Sequence, residues 1–201
     1  MKIISTKFSG LKVIQSKTHK DNRGLFKEDY KKKFFKNKNF IFGCTSSSKK
    51  NVVRGLHLQT KYSQEKYVSV LKGAIFDVVV DLRKKSKTYG KHFKTILSDK
   101  NAKSLFIPAG FAHGFLSLKE ENIIYYTCTN YRSARHEVGI LWNDKDLKIK
   151  WPIKNPVISK KDKEKKTKYH LKLYRYNFLL VVLVKMIVYK STGGMFKKLW
   201  A

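Results

Sequence analysis

Two histidines and a tyrosine stand in contexts where they can move a proton. His57 lies in "VVRGLHLQT" (52–60), among apolar and glycine neighbours and three residues after Arg54. His113 lies in "IPAGFAHGF" (107–115), and Tyr126 is the second of two adjacent tyrosines in "NIIYYTCTNY" (122–131). An imidazole with its ordinary pKa of ~6.5 accepts a proton at neutral pH, whereas a phenol at ~10 still holds one to give. Two blander uses compete. A pair of neutral imidazoles two places apart on one strand face holds a metal, but Gln59 stands where the second would be, so no metal site and no cofactor are expected. Alternatively, both histidines simply hydrogen-bond inside a core.

The elements that must carry these groups read as strands. Short segments rich in Val, Ile, Tyr and Phe, among them "KYVSVLKG", "AIFDVVVDL", "KHFKTILS", "SLFIPAG", "FAHGFLSL" and "NIIYYTCTNY", recur between Gly, Asn, Asp and Ser clusters. No stretch before Asp162 sustains helical periodicity for three turns, so the expectation is an all-β sandwich or barrel with no internal repeat. If 53–59 is a strand, Val53, Gly55, His57 and Gln59 share one face and Arg54, Leu56 and Leu58 the other. Arg54 and His57 then converge only if Gly55 sits in a bulge or the strand starts after it. In "AIFDVVVDL", Asp77 and Asp81 fall on the face of Ile75 and Val79, the pattern of a barrel wall with a polar interior patch. Tyr126 shares a face with Cys128 and Asn130 and Tyr125 does not, so one tyrosine of the two reaches the cavity.

Composition bounds the rest. The chain of 201 residues is 42% hydrophobic, enough for one sizeable core, and carries a formal charge of +31. Most of that charge is lysine, in runs such as "YKKKFFKNKNF", with the Lys/Asn bias of an AT-rich coding sequence. No nucleic-acid motif accompanies it, so a solvated basic surface is expected rather than a nucleic-acid partner. Two cysteines, Cys44 and Cys128, form no disulfide framework, and the opening "MKIISTKFSGLKVI" lacks a signal-like apolar stretch, which suggests a cytoplasmic protein. Composition changes sharply after "SKKD", which divides the chain into 1–162 and an atypical basic and apolar tail, 163–201. The tail's apolar run, "FLLVVLVKMIVY", contains Lys185 and is too short for a membrane span. It is read as a packed element or as sequence from a shifted frame, ahead of an interfacial anchor, because it has no polar face.

The P-x-G-x-x-H spacing of Pro108, Gly110 and His113, after an earlier strand histidine, is a cupin-type jelly-roll signature. Around it, "DNRGLFKEDY", "KKNVVRGLHLQ", "QEKYVSVLKGAIFDVVVDLRKKSKTYGK", "LSDKN", "IPAGFAHGFLSL", "YTCTNY", "GILWNDKDLKIKWP" and "ISKKD" occur in the order seen in the dTDP-4-dehydrorhamnose 3,5-epimerase family, which residues 1–162 closely resemble. The resemblance implies a cupin jelly-roll barrel with short peripheral helices, usually a homodimer, acting without metal on a nucleotide-linked 4-keto sugar. It places the general base on His57, the carboxylate partnering it on Asp162 and the phenolic acid on Tyr126. It places substrate contacts on Arg23, Glu28, Arg54, Lys66, His113, Glu137 and Lys161. Those groups suit inversion next to a ketone: a base removes the proton, a cation holds the enolate oxygen, and an acid returns a proton from the other face.

This chain also departs from the family. The usual Gln-x-Asn before "S-x-S" is replaced by Phe42, Gly43 and Cys44, and the second tyrosine after the position of Tyr131, which stacks on thymine in the family, is replaced by Arg132. A guanidinium stacks on a base or meets guanine O6 and N7, so Tyr131 and Arg132 are assigned to nucleotide binding, and a GDP-linked hexose or heptose enters beside the dTDP-linked sugar. The product would feed a surface polysaccharide such as capsule or lipopolysaccharide. A sugar-nucleotide 3,4-ketoisomerase and a non-catalytic cupin that binds sugar or nucleic acid are the alternatives.

Overall fold

The computed structural model describes residues 1–164 of the 201, so nearly all of the tail, with the expectations attached to it, lies outside the described residues. Fourteen strands are found among the described residues, in chain order β1 (Lys2–Ser5), β2 (Lys12–Gln15), β3 (Thr18–Asp21), β4 (Gly24–Lys27), β5 (Phe42–Lys49), β6 (Val52–Gln59), β7 (Lys66–Lys72), β8 (Ala74–Asp81), β9 (His92–Ser98), β10 (Lys103–Ile107), β11 (Phe111–Ser117), β12 (Glu121–Cys128), β13 (Glu137–Gly139) and β14 (Val157–Ile158). Among the described residues, helical structure is confined to two short 3-10 turns, Lys32–Phe35 and Ala134–His136, and one turn of α-helix, α1 (Lys160–Lys163).

Two sheets face each other in an all-β jelly roll of the cupin type. One runs β1-β2-β10-β7-β12-β5 and the other β13-β6-β11-β8-β9, with β14 added in parallel to β6; β3 and β4 form a separate hairpin. The alternation read from the sequence holds in β8. Its Ile75 and Val79 join Val68, Val70, Leu105, Ile107 and Ile124 in the core between the sheets. Val78 and Val80 face outward into a second cluster with Leu56, Ala112, Ile140 and Leu147, against which Phe76 and Trp151 pack. A third cluster, Ile14, Phe35, Tyr67 and Phe106, covers the back of the first sheet. Apolar layers on both faces explain why β8 and β11 are almost continuously buried and β7 is buried through its middle, while β5, at a sheet edge, alternates.

The core does not fill the whole space between the sheets. At the end where β5, β6, β7, β11 and β12 converge, the apolar inward side chains give way to polar ones, and a cavity of about 720 Å³ remains.

Candidate active site

His57 reaches this cavity because β6 is irregular at Gly55. His113 of β11 pairs with His57 and Phe115 pairs with Arg54, so two steps along β11 answer three along β6, and the extra residue is a bulge. Gly55 has φ +109°, and a Cβ there would lie 2.6 Å from both Gly114 Cα and His113 O. Only glycine meets both conditions. The bulge turns Arg54 and His57 toward the same cavity while Leu56 remains fully buried in the outer cluster. Of the two sequence-level routes to convergence, the bulge is the one observed.

The carboxylate beside His57 arrives from the far end of the described chain. Val157 and Ile158 pair with Val52 and Val53, and this docks the C-terminal segment along the start of β6. Ser159 then caps α1, its hydroxyl accepting from the Asp162 N–H at 3.2 Å, the S-x-x-D pattern of a helix start. Asp162 is thereby turned inward, 4% exposed, with Oδ1 2.5 Å from His57 Nε2 and Oδ2 accepting from the Gly55 N–H at 3.4 Å. A carboxylate on one ring nitrogen fixes the tautomer, leaves the other nitrogen as the base, and stabilises the imidazolium once a proton arrives.

Three further groups face His57. Tyr126 lines the cavity and Tyr125 does not, as strand alternation requires. Burial pushes the Tyr126 phenol far above its ordinary range, so it is protonated, and its oxygen lies 3.2 Å from Ser46 Oγ. Lys66 sits opposite Cys128 in the β7–β12 ladder. Burial pushes its ammonium below the ordinary lysine range, and no ion pair or hydrogen bond of the Lys66 side chain is found among the described residues. A lysine amine without a side-chain partner is free to donate to negative charge developing on a bound ligand. His113, directly across from His57, is 6% exposed and lies 2.7 Å from Asp77 Oδ2; Asp77 is itself fully buried.

The rim of the cavity is charged. Glu137 takes Lys161 at 2.5 Å and Arg132 at 3.3 Å. Burial alone would raise the Glu137 carboxyl, but Lys161, His57 and Arg132 outweigh it and hold the group below the usual carboxylate range. Arg54 points back to Ser48 Oγ at 2.9 Å and the Ser47 carbonyl at 3.0 Å. Phe42, Cys44, Gln64 and Cys128 complete the wall.

The cavity therefore gathers His57, Asp162, Tyr126, Arg54, Lys66, His113, Arg132, Glu137 and Lys161. Three expected site residues are not brought to it within one chain. Arg23 is held by Asp21 at 2.6 Å at the tip of the β3–β4 hairpin, and Glu28 pairs with Lys31 at 2.5 Å. Both lie on a separate two-stranded sheet or just beyond it, so nothing in the barrel directs them to His57. Tyr131 is 67% exposed and stands edge-on to Phe42 outside the cavity lining. The interior carboxylate patch is likewise halved: Asp77 meets His113, whereas Asp81 accepts from Arg83, Ser86 and Thr88 and organises the β8–β9 turn. Gln59, in the place of a second metal-binding histidine, spends its amide on the Tyr62 and Tyr131 carbonyls and the Ser133 N–H. Sequence reasoning passed over Ser46, Asp77 as the partner of His113, and Ser159. The inward alternation Phe42, Cys44, Ser46 and the S-x-x-D spacing were the available signals.

Chemically, the arrangement joins a carboxylate-backed imidazole, a lysine amine without a side-chain partner and a protonated phenol around one cavity. That set can remove a proton next to a carbonyl, hold the resulting oxyanion and return a proton.

Comparison with known proteins agrees in extent and kind. The family model described as dTDP-4-dehydrorhamnose 3,5-epimerase matches residues 5–169. A protein of that name from Shigella flexneri is 41% identical over 168 residues, 81% of this chain and 93% of the relative. One from Methanothermobacter thermautotrophicus is 41% identical over 169 residues, 81% and 91% of the two chains. Among solved structures, the Bacillus anthracis protein of the same name, with TDP and PPi bound, superposes with a TM-score of 0.79 at 40% identity, covering 83% of this chain and 98% of that one. The Legionella pneumophila dTDP-6-deoxy-D-glucose-3,5-epimerase in complex with dTDP-4-keto-L-rhamnose gives 0.79 at 40%, covering 83% and 92%.

Proposed function

We propose that this chain, which belongs to the dTDP-4-dehydrorhamnose 3,5-epimerase family, inverts C3, C5 or both in a nucleotide-linked 4-keto-6-deoxy sugar by way of an enolate. The single observation that carries the reading is the His57–Asp162 contact at 2.5 Å, placed in one cavity with Tyr126 and Lys66. In this reading the free His57 nitrogen takes the proton from the carbon next to the ketone, and the electron pair moves onto the ketone oxygen. Lys66 meets that oxygen. Tyr126 then gives its proton to the opposite face of the carbanion, forming the new C–H bond.

The dTDP-linked sugar is the first donor to test, because two relatives and two solved neighbours carry that nucleotide in their names or as ligand. A GDP-linked hexose or heptose is the second, favoured by Arg132 on the cavity wall. The protein would act in the cytoplasm, and its product would serve a surface polysaccharide. A homodimer belongs to the same reading. The β3–β4 hairpin is apart from both large sheets and exposes Phe26 at 65% and Leu25 at 47%, with Arg23 at its tip, so a second copy is the natural place for these groups to be buried.

The test is incubation with dTDP- and GDP-linked 4-keto sugars in deuterated water, read by NMR. Deuterium at C3 or C5 with inverted product supports the epimerase. Transfer of the carbonyl to C3 would instead identify a 3,4-ketoisomerase, and binding without exchange would leave a non-catalytic cupin.

A further inference from the structure

The Tyr126 phenol is half-buried against the core and carries the one hydroxyl of β12 found on the cavity wall among the described residues. Once it has given that proton, it is an anion in a site whose burial opposes charge. A donor must therefore wait beside it. Among the described residues one side chain lies within hydrogen-bond distance of the Tyr126 oxygen: Ser46, with Oγ at 3.2 Å.

The position of Ser46 follows from the ladder. Tyr126 of β12 pairs with Cys44 of β5, and Ile124 pairs with Ser46, so Ser46 is one inward position deeper on the neighbouring strand. Phe42, Cys44 and Ser46 all line the cavity, and the first two have no side-chain oxygen. Val68, opposite Tyr126 on the other flanking strand, has none either. Asp77 and Cys44 oppose charge on the phenol, and Arg54 favours it. The Arg54 guanidinium, however, is committed to Ser48 Oγ and the Ser47 carbonyl. That leaves the Ser46 hydroxyl, a rotor able to accept or donate.

We propose that Ser46 is a positioning residue for the acid half of the reaction: it holds the Tyr126 hydroxyl in place and turns its own hydrogen to the phenolate formed when Tyr126 protonates the sugar carbon. In that step the Tyr126 O–H bond breaks and the C–H bond forms with the enolate's electron pair. The negative charge passes from enolate to phenolate, and the Ser46 O–H donates to it without being broken. Water returns the proton to Tyr126 before the next turnover. Ser46 touches neither His57 nor Asp162, so abstraction does not depend on it. The inference rests on the epimerase reading and adds to it a residue that acts through Tyr126.

The experiment uses the full chain with the nucleotide 4-keto sugar that the wild type turns over, in deuterated water. It compares wild type, Ser46→Ala, Ser46→Thr, Tyr126→Phe and the double variant Ser46→Ala/Tyr126→Phe. Ser46→Ala is expected to wash deuterium into the sugar as the wild type does, but to form inverted product about 10- to 100-fold more slowly, the range that one hydrogen bond to a charged group supplies. Ser46→Thr, which keeps the oxygen, restores inversion. The double variant is no slower than Tyr126→Phe alone, since both changes remove the same function. Equal loss of exchange and inversion in Ser46→Ala would overturn the proposal, as would additive losses in the double variant, or a Ser46→Thr as impaired as the alanine. If Ser46→Ala does not fold, Ser46→Cys, close in size but a weak donor, and its combination with Tyr126→Phe decide the matter in the same way. A wild type that exchanges no sugar proton defeats the epimerase reading itself, an outcome distinct from any of these.

Discussion

Replacing Asp162 by asparagine keeps the shape of the side chain and removes its charge. In the native site one carboxylate oxygen meets His57 Nε2 at 2.5 Å while the other accepts from the Gly55 N–H at 3.4 Å. An amide has one acceptor for these two places. If its oxygen stays with Gly55, its NH2 faces the ring and favours the tautomer whose proton sits on the working nitrogen. If its oxygen faces the ring, the Gly55 N–H loses its partner and the imidazolium still lacks a counter-charge. Either way a charge-assisted hydrogen bond worth about 1.5–3 kcal/mol is lost when the imidazolium forms, which corresponds to about a 10- to 150-fold fall in kcat. KM is expected to change little, because the interaction strengthens after substrate is bound. The assay is initial deuterium wash-in by NMR at saturating sugar, with a thermal melt to show that the fold persists. Wash-in at the wild-type rate in a folded Asp162→Asn protein would refute the pairing of this carboxylate with the base. A raised KM at unchanged kcat would make Asp162 a binding group instead.

Other consequences are more local. Gly55→Ala places a methyl 2.6 Å from Gly114 Cα and His113 O at φ +109°; chemical denaturation should show a loss of about 1–3 kcal/mol, together with lower activity, since the bulge that aims His57 is disturbed. Asp81 is pushed up by burial but more strongly down by Arg83, Ser86 and Thr88, to about 2. A depressed carboxyl contributes stability that is present above its unfolded value of ~3.9 and is lost as pH falls toward 2, so wild type and Asp81→Asn should differ by about 2 kcal/mol more at pH 7 than at pH 2 in urea titrations. A chain ended after Lys168 retains α1 and Asp162, and deuterium wash-in by it should match that of the full chain; a large loss would assign the remaining tail a part in the site.

The parts of this architecture that follow a simple period were legible in the sequence. Strand alternation separated Tyr126 from Tyr125 and the inner from the outer face of β8, because side chains on a strand have only two directions. It also showed that Arg54 and His57 converge only with a bulge at Gly55 or a strand that starts after it, and β6 has the bulge. Contacts made across long separations carry no such period. Nothing near Asp77 or Asp81 in the chain tells which meets a histidine 36 residues away and which caps its own turn. Asp162 lies 105 residues from His57, and only the family resemblance joined them before the fold did. Arg23 and Glu28 came with the same resemblance, and within one chain they are tied instead to Asp21 and Lys31, their near neighbours in sequence.

The most direct test of the central claim compares wild type and His57→Ala with a dTDP-linked 4-keto-6-deoxy hexose in deuterated water. NMR reads the label at C3 and C5, and melting curves show that both proteins are folded. The account predicts label and inverted product with the wild type and neither with His57→Ala. Label entering at a near-normal rate without His57 would contradict it.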